Sequence, residues 1–213
     1  MNIKKLVSDF NKVNTYVIKN DINNHIIVVD PCEYEIIEKY IKFNDYTLDY
    51  VFLTHEHYDH IKALNELRDN FNFLTVSTLE CSEGIQKSNY NMSKYFNVLI
   101  YFKEHRNTME ICEYYCKPAD YIMDNNEIFN WYGIKFRFVK TPGHSKGSTF
   151  IFIDNKMLLS GDTLLFKEKI YTKFVGGSKK EYEEITVPII DNLNEGLRIF
   201  PGHGEEYTFY KED

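Results

Sequence analysis

Tyr50-Val51-Phe52-Leu53-Thr54-His55-Glu56-His57-Tyr58-Asp59-His60 passes from an apolar, aromatic run straight into three histidines and an aspartate. The run Tyr50 to Leu53 reads as a short buried strand. His55 and His57 stand two apart just beyond its end. In extended backbone, residues i and i+2 point to the same side, so both imidazoles can reach one ion. Downstream, Ile61, Leu64 and Leu67, with Ala63, repeat at helical spacing to about Phe71. That places Asp59 and His60 near a helix start, available to a second ion. A lone His-x-His carries little weight, but His-x-His-x-Asp-His between a strand and a helix is specific.

Three further segments repeat the design. Ile134 to Val139 alternates apolar and basic residues, as a half-buried strand does, and leads through a Pro-Gly turn to His144. Met157-Leu158-Leu159 precedes Gly161-Asp162, and Leu197 to Phe200 precedes Pro201-Gly202-His203. Glycine beside each ligand lets backbone approach a crowded ion. Together the four segments supply five of the chain's seven histidines and two aspartates. Seven nitrogen and oxygen donors suit a pair of divalent ions that keep positions open to solvent. Each Pro-Gly-His alone would read as a plain turn. His25 and His105 are read as satisfied loop or surface residues.

Thr54 to His60 (THEHYDH), TPGHSKGS, SGDTLL and PGHGEE, in this order and spacing, resemble the metallo-β-lactamase superfamily, and within it the glyoxalase II-like (hydroxyacylglutathione hydrolase-like) hydrolases. The resemblance covers nearly the whole chain. Asn14 to Ile18 and Ile27 to Pro31 resemble the family's first hairpin, with Cys32 where an Asp-Pro-Gly turn has glycine. Asn91-Met92-Ser93 and Lys117 to Asp120 resemble connecting segments of short members. The resemblance implies an α/β fold, an αββα sandwich of two mixed β-sheets flanked by helices. It implies that His55, His57 and His144 hold one metal, that Asp59, His60 and His203 hold a second, and that Asp162 bridges them. A metal-bound hydroxide is then the nucleophile, with Asp59 as the catalytic residue that orients it. Zinc is the expected metal, with iron or manganese as alternatives. One loop departs from the pattern. Ile170-Tyr171-Thr172-Lys173 stands where many members carry Gly-Arg-x-Asp, and the chain stops soon after the last motif, where full-length glyoxalase II enzymes continue into a helical glutathione-binding domain. Glutathione recognition is therefore not expected.

At 213 residues with 43% apolar content, the chain supports one core, and a site assembled from positions 55 to 203 needs one folded unit. A single domain over residues 1–213 is expected. The net charge of −7 and the lack of a basic stripe exclude a nucleic-acid surface. Lys167, Lys169 and Lys173, with Tyr171, form a local cluster suited to an anionic substrate group. No apolar run reaches signal-peptide or membrane-span length, and four cysteines without paired spacing read as buried thiols in a reducing compartment. Cys112 and Cys116 are read as one helical turn apart. A cytoplasmic protein without membrane contact, acting on a small molecule, is expected. Asn89 to Asp124 is the least regular part, and Tyr95 to Phe102 within it reads as a strand or a pocket wall.

The leading expectation is hydrolysis of a small thioester or ester. The competing ones are a mononuclear-iron persulfide dioxygenase, a lactonase, and a non-catalytic metal sensor, the last disfavoured by seven intact ligand positions.

Overall fold

In β3 (His25–Val29) the side chains of Ile27 and Val29 enter one cluster while Ile26 and Val28 enter another. That period of two marks a strand with both faces buried. The computed structural model describes residues 1–104 and 111–211. The first sheet has the order β1 (Asn2–Val7), β2 (Asn14–Lys19), β3, β4 (Thr47–Phe52), β5 (Leu74–Thr78) and β6 (Tyr121–Met123). Its first two pairings are antiparallel and the rest parallel. The second sheet runs β12 (Tyr207–Thr208), β11 (Arg198–Pro201), β10 (Met157–Gly161), β9 (Thr149–Ile153), β8 (Ile134–Lys140), β7 (Ile128–Trp131). There only β10 and β11 pair in parallel. Both sheets are mixed, as the resemblance implies.

The sheets pack on each other through aromatic rings. Phe52 of β4 meets Phe129, Phe136 and Phe138 of the second sheet at 5.1–5.4 Å, all edge-to-face, the arrangement ring quadrupoles favour. At one end Asp49 ties the sheets. It accepts a hydrogen bond from Trp131 Nε1 at 2.8 Å and pairs with His25 Nδ1 at 2.6 Å. His25 is thus satisfied structurally, as expected; His105 lies outside the described residues.

Helices cover the outer faces. In α1 (Tyr34–Phe43), Ile37 and Ile41 stand one turn apart and pack with Val28 and Val51. The helix expected from Ile61 to Phe71 is two pieces, α2 (Tyr58–Ile61) and α3 (Leu64–Asn70). The break has a cause: the Ala63 N–H is drawn to the Pro31 carbonyl at 3.0 Å instead of the preceding turn. α4 (Leu79–Gly84) follows β5. Tyr95 to Phe102 is no strand. It lies in α5 (Ser93–Glu104), because an eight-residue apolar run fits either period and here the site side is served by Phe96 and Ile100, four apart. The cysteine segment corrects in the opposite sense. Residues 111–119 hold no regular element, Cys112 is exposed, and only Cys32, Cys81 and Cys116 are buried. The second sheet's outer face is covered by α6 (Lys179–Glu181), a π-helical turn (Tyr182–Thr186) and α7 (Val187–Asp191), with Ile189 and Ile190 packing on a cluster that includes Phe150 and Ile199. No helix among the described residues is long and apolar enough to cross a membrane.

Phe52→Ala removes the ring that joins the two sheets. It is expected to cost about 3–5 kcal/mol of stability, read as a lower urea midpoint at unchanged slope.

Candidate metal centre

Strands β8, β10 and β11 run in one direction, because antiparallel β9 separates β8 from β10 and β11 is parallel to β10. Their C-terminal ends therefore share an edge, and His144, Asp162 and His203 follow those ends. The loop after β4 meets them there, fastened by Thr149 N–H to the Thr54 carbonyl at 2.9 Å. Two glycines make the approach. Gly161 has φ +50°, at a register shift in the β10–β11 ladder, and turns the chain so that Asp162 faces the histidines. At Gly202 a Cβ would collide with the Asp162 carboxylate and lie 2.7 Å from His60 Cε1.

The result brings all seven expected positions together. One donor atom from each of His55, His57 and His144 falls within 4.8 Å of the others, and Asp59, His60 and His203 form a second such trio. Asp162 stands against both. Its Oδ1 is 3.4 Å from His60 Nε2, and its Oδ2 is 3.4 Å from His203 Nε2 and 3.7 Å from His144 Nε2. His57 Nδ1 and His144 Nε2 face each other at 3.0 Å.

Hydrogen bonds on the far side of each ring set which nitrogen is presented. The Tyr171 carbonyl can only accept, so His144 Nδ1 donates to it at 2.9 Å and Nε2 is left facing the cluster. Asp30 Oδ2 receives His60 Nδ1 at 3.1 Å in the same way. His55 Nε2, His60 Nε2 and Asp162 Oδ1 are buried without a hydrogen-bond partner. Burying such groups unpaired costs about 1–3 kcal/mol each, and charged pairs more, so convergent orphans of this kind fit cations. The local charge agrees. Burial pushes the pKa values of His60 and His203 down, but Asp162 and Asp59 outweigh it and hold both up, His203 at about 10. For His55 and His57 burial dominates, neighbouring imidazoles add to it, and both are lowered, His57 to about 3. The donors are nitrogens and carboxylate oxygens with no thiolate, which suits borderline divalent ions.

A cavity of about 270 Å³ opens beside this cluster, bounded by His57, Asp59 and His144 on one side and by Met92, Phe96 and Phe174 on the other. Lys167, Lys169 and Lys173 do not reach it. Their side chains are exposed, and Phe174 occupies the wall instead. Tyr171 serves through its backbone carbonyl, while its half-exposed ring packs on Phe174 at 4.4 Å.

A profile of the metallo-beta-lactamase superfamily matches residues 8–203. The chain belongs to this superfamily. A probable metallo-hydrolase of Streptococcus pyogenes serotype M6 is 30% identical over 219 residues, covering 100% of this chain and 88% of that protein. A hydroxyacylglutathione hydrolase of Pelagibacter ubique is 25% identical over 195 residues, 91% of this chain but 66% of its own length. Among solved structures, the B3 metallo-beta-lactamase BLEG-1 superposes with a TM-score of 0.80 at 25% identity, over 97% of this chain and 94% of that one.

Two buried acids that escaped the sequence reading support this superfamily member's site. Asp30, at φ +51°, accepts from Thr54 N at 2.8 Å and Thr54 Oγ1 at 2.6 Å besides His60. It also forms a third trio with His55 and His60, but its oxygens are already engaged by donors, so it acts as a brace for His60. Glu56 lies between His55 and His57 and points away from them. Its carboxylate accepts Ser145 Oγ–H at 2.8 Å and Gly147 N–H at 3.2 Å, and full burial pushes its pKa up to about 7. It bolts the loop carrying His144 to the loop carrying His55 and His57. The only sequence signal for Glu56 was its place between His55 and His57, and for Asp30 its place before Pro31 in the first hairpin; what each acid touches lies 24 to 91 residues away.

The two braces serve different trios. Asp30→Ala is expected to weaken ion binding at the Asp59, His60 and His203 trio about 10–100-fold, and Glu56→Ala to do the same at the His55, His57 and His144 trio. Competition with a chelating dye, resolving a tight and a weak site, checks both.

Proposed function

We propose that the chain hydrolyses a small thioester or ester at a site for two divalent metal ions, zinc being expected and iron or manganese fitting the same donors. The observation that carries the reading is the place of Asp162, whose two oxygens address both histidine trios. In this reading His55, His57 and His144 hold one ion, Asp59, His60 and His203 the other, and Asp162 both. When bound, such ions lower the pKa of water to near 7 and polarise a scissile carbonyl.

The chain's own residues do the positioning. Tyr171 and Asp30 fix the ring orientations of His144 and His60. Asp59 is kept ionised: burial opposes the charge, but His60 and His203 outweigh it and hold the pKa below the usual carboxylate range. It therefore offers acceptor oxygens beside the cavity, suited to orienting a water. The Asn11 amide donates to Asp59 Oδ2 at 2.5 Å and limits its rotation. Phe174 stands edge-on to His57 and His144 and keeps bulk water from that side. Among the described residues no thiol lines the cavity. Burial pushes Cys32 up to about 12 and Cys116 up to about 11, which suppresses the thiolate. In the net reaction water adds at the carbonyl carbon, the C–S or C–O bond breaks, and an acid and a thiol or alcohol leave. The hydroxyacylglutathione hydrolase among the relatives supports the thioester as bond type.

Asp162→Ala is expected to lose at least one ion and to lower kcat at least about 100-fold, beyond what removal of an outer partner causes. Metal analysis beside turnover of acyl thioesters, a lactone and a persulfide tests the assignment. One iron per chain with oxygen consumption would turn it to the dioxygenase, and full metal occupancy without turnover would turn it to the sensor.

A further inference from the structure

The cavity at the metal centre has two unlike walls. One is the ligand set. The other is hydrocarbon, made by Met92, Phe96 and Ile100 with Phe174 closing the side nearest the histidines. Among the described residues no lysine, arginine, serine or threonine lines it. Asn11 faces it but is engaged with Asp59. The lysines expected to attract an anion stand on the exposed surface of the loop outside.

This apolar wall is rigidly built. Phe96 is buried, stacked on Phe10 at 5.3 Å and edge-on to Tyr58 at 5.5 Å. Helix α5 behind it is clamped by Asn97, whose amide nitrogen donates to the Ile111 carbonyl and whose amide oxygen accepts the Ile111 N–H, both at 2.8 Å. Met92 is buried at φ +67°, next to Asn91, whose carbonyl accepts the Tyr58 N–H at 2.7 Å. The wall is therefore tied directly to the loop that carries the ligands.

We infer that the substrate carries a small, uncharged, apolar group directly beside its scissile carbonyl, and that Met92, Phe96, Ile100 and Phe174 select it. The inference rests on the hydrolase reading above. A charged group placed against these four side chains would lose its water and find no partner among the described residues of that wall. An alkyl group gains roughly three- to fourfold in binding per buried methylene. The cavity, at about 270 Å³, falls below the roughly 300–1,000 Å³ of sites for drug-sized ligands, which sets an upper limit on the size of the group.

The test uses the zinc-loaded full chain and two readouts. The first is equilibrium binding of straight-chain hydroxamates, from aceto- through butyro- to hexanohydroxamate, by calorimetry. Kd should fall three- to fourfold per methylene until the cavity is full, and the monohydroxamate of succinic acid should bind no better than acetohydroxamate. Phe96→Ala and the milder Ile100→Ala should each flatten the series, while Lys167→Gln should leave it unchanged. The second readout is kcat/KM for N-acetylcysteamine thioesters of growing acyl chain, beside acetyl thioesters of growing alkyl thiols. A steep acyl series puts the apolar group on the acid side of the bond, and a steep thiol series puts it on the leaving group. A flat hydroxamate series, or preference for the succinyl compound, would overturn the inference even with thioesters turned over. A steep hydroxamate series without any turnover would uphold the subsite and sink the hydrolase reading instead.

Discussion

Five imidazoles and two carboxylates share one largely buried space, and much of the surrounding structure is arranged to hold them there. Without compensation such a cluster is costly, because buried ionised groups need partners and several of these nitrogens and oxygens have none within the protein. The carboxylates concentrate negative charge at one side, enough to hold His60 and His203 above the ordinary imidazole range. The site is thus shaped for cations before any substrate is considered. Asp162 is central because its two oxygens face histidines of both trios, and Gly202 is a glycine because a side chain there would take the carboxylate's place.

Holding four loops in register takes a second set of contacts. Asp30 braces the β4 loop and His60 from the adjacent strand, Glu56 binds the His144 loop from beneath, and Asn14 reaches across to the His203 loop. The Asn14 amide donates to the carbonyls of Pro201 and Gly204, both at 2.9 Å, while Tyr16 OH donates to Pro201 at 2.8 Å. The ligand positions are therefore set by both sheets at once. Loops can carry chemistry because the scaffold beneath them is rigid, and the aromatic seam around Phe52 supplies that rigidity.

The apolar wall of the cavity comes from a different part of the chain from its histidines and aspartates. Two segments with no ligand role, α5 and the loop ending at Phe174, close the cavity. The loop does both jobs: its Tyr171 carbonyl orients His144 while its Phe174 ring forms the wall. Its lysines face solvent, where screening by salt leaves a charge little influence on a group bound at the ligands.

The clustered histidines and aspartates and the strands before them were legible in the chain itself. A buried strand announces itself by apolar period, and clustered histidines with neighbouring glycines have few other uses, so His55, His57, Asp59, His60, His144, Asp162 and His203 could be named from local pattern alone. The mixed-sheet sandwich was implied by the resemblance those motifs carry to the metallo-β-lactamase superfamily. Tertiary structure alone decided what lies far apart in sequence. Asp30 and Glu56 look like any other acids until the strands they touch are assembled. Tyr95 to Phe102 carried no period able to separate helix from strand, and docking of Phe96 against Phe10 and Tyr58 accompanies the helix that forms. The lysine run looked like an anion site because charge is visible in sequence, whereas the direction a side chain faces is set by backbone geometry, and that geometry turned Phe174 inward and the lysines out.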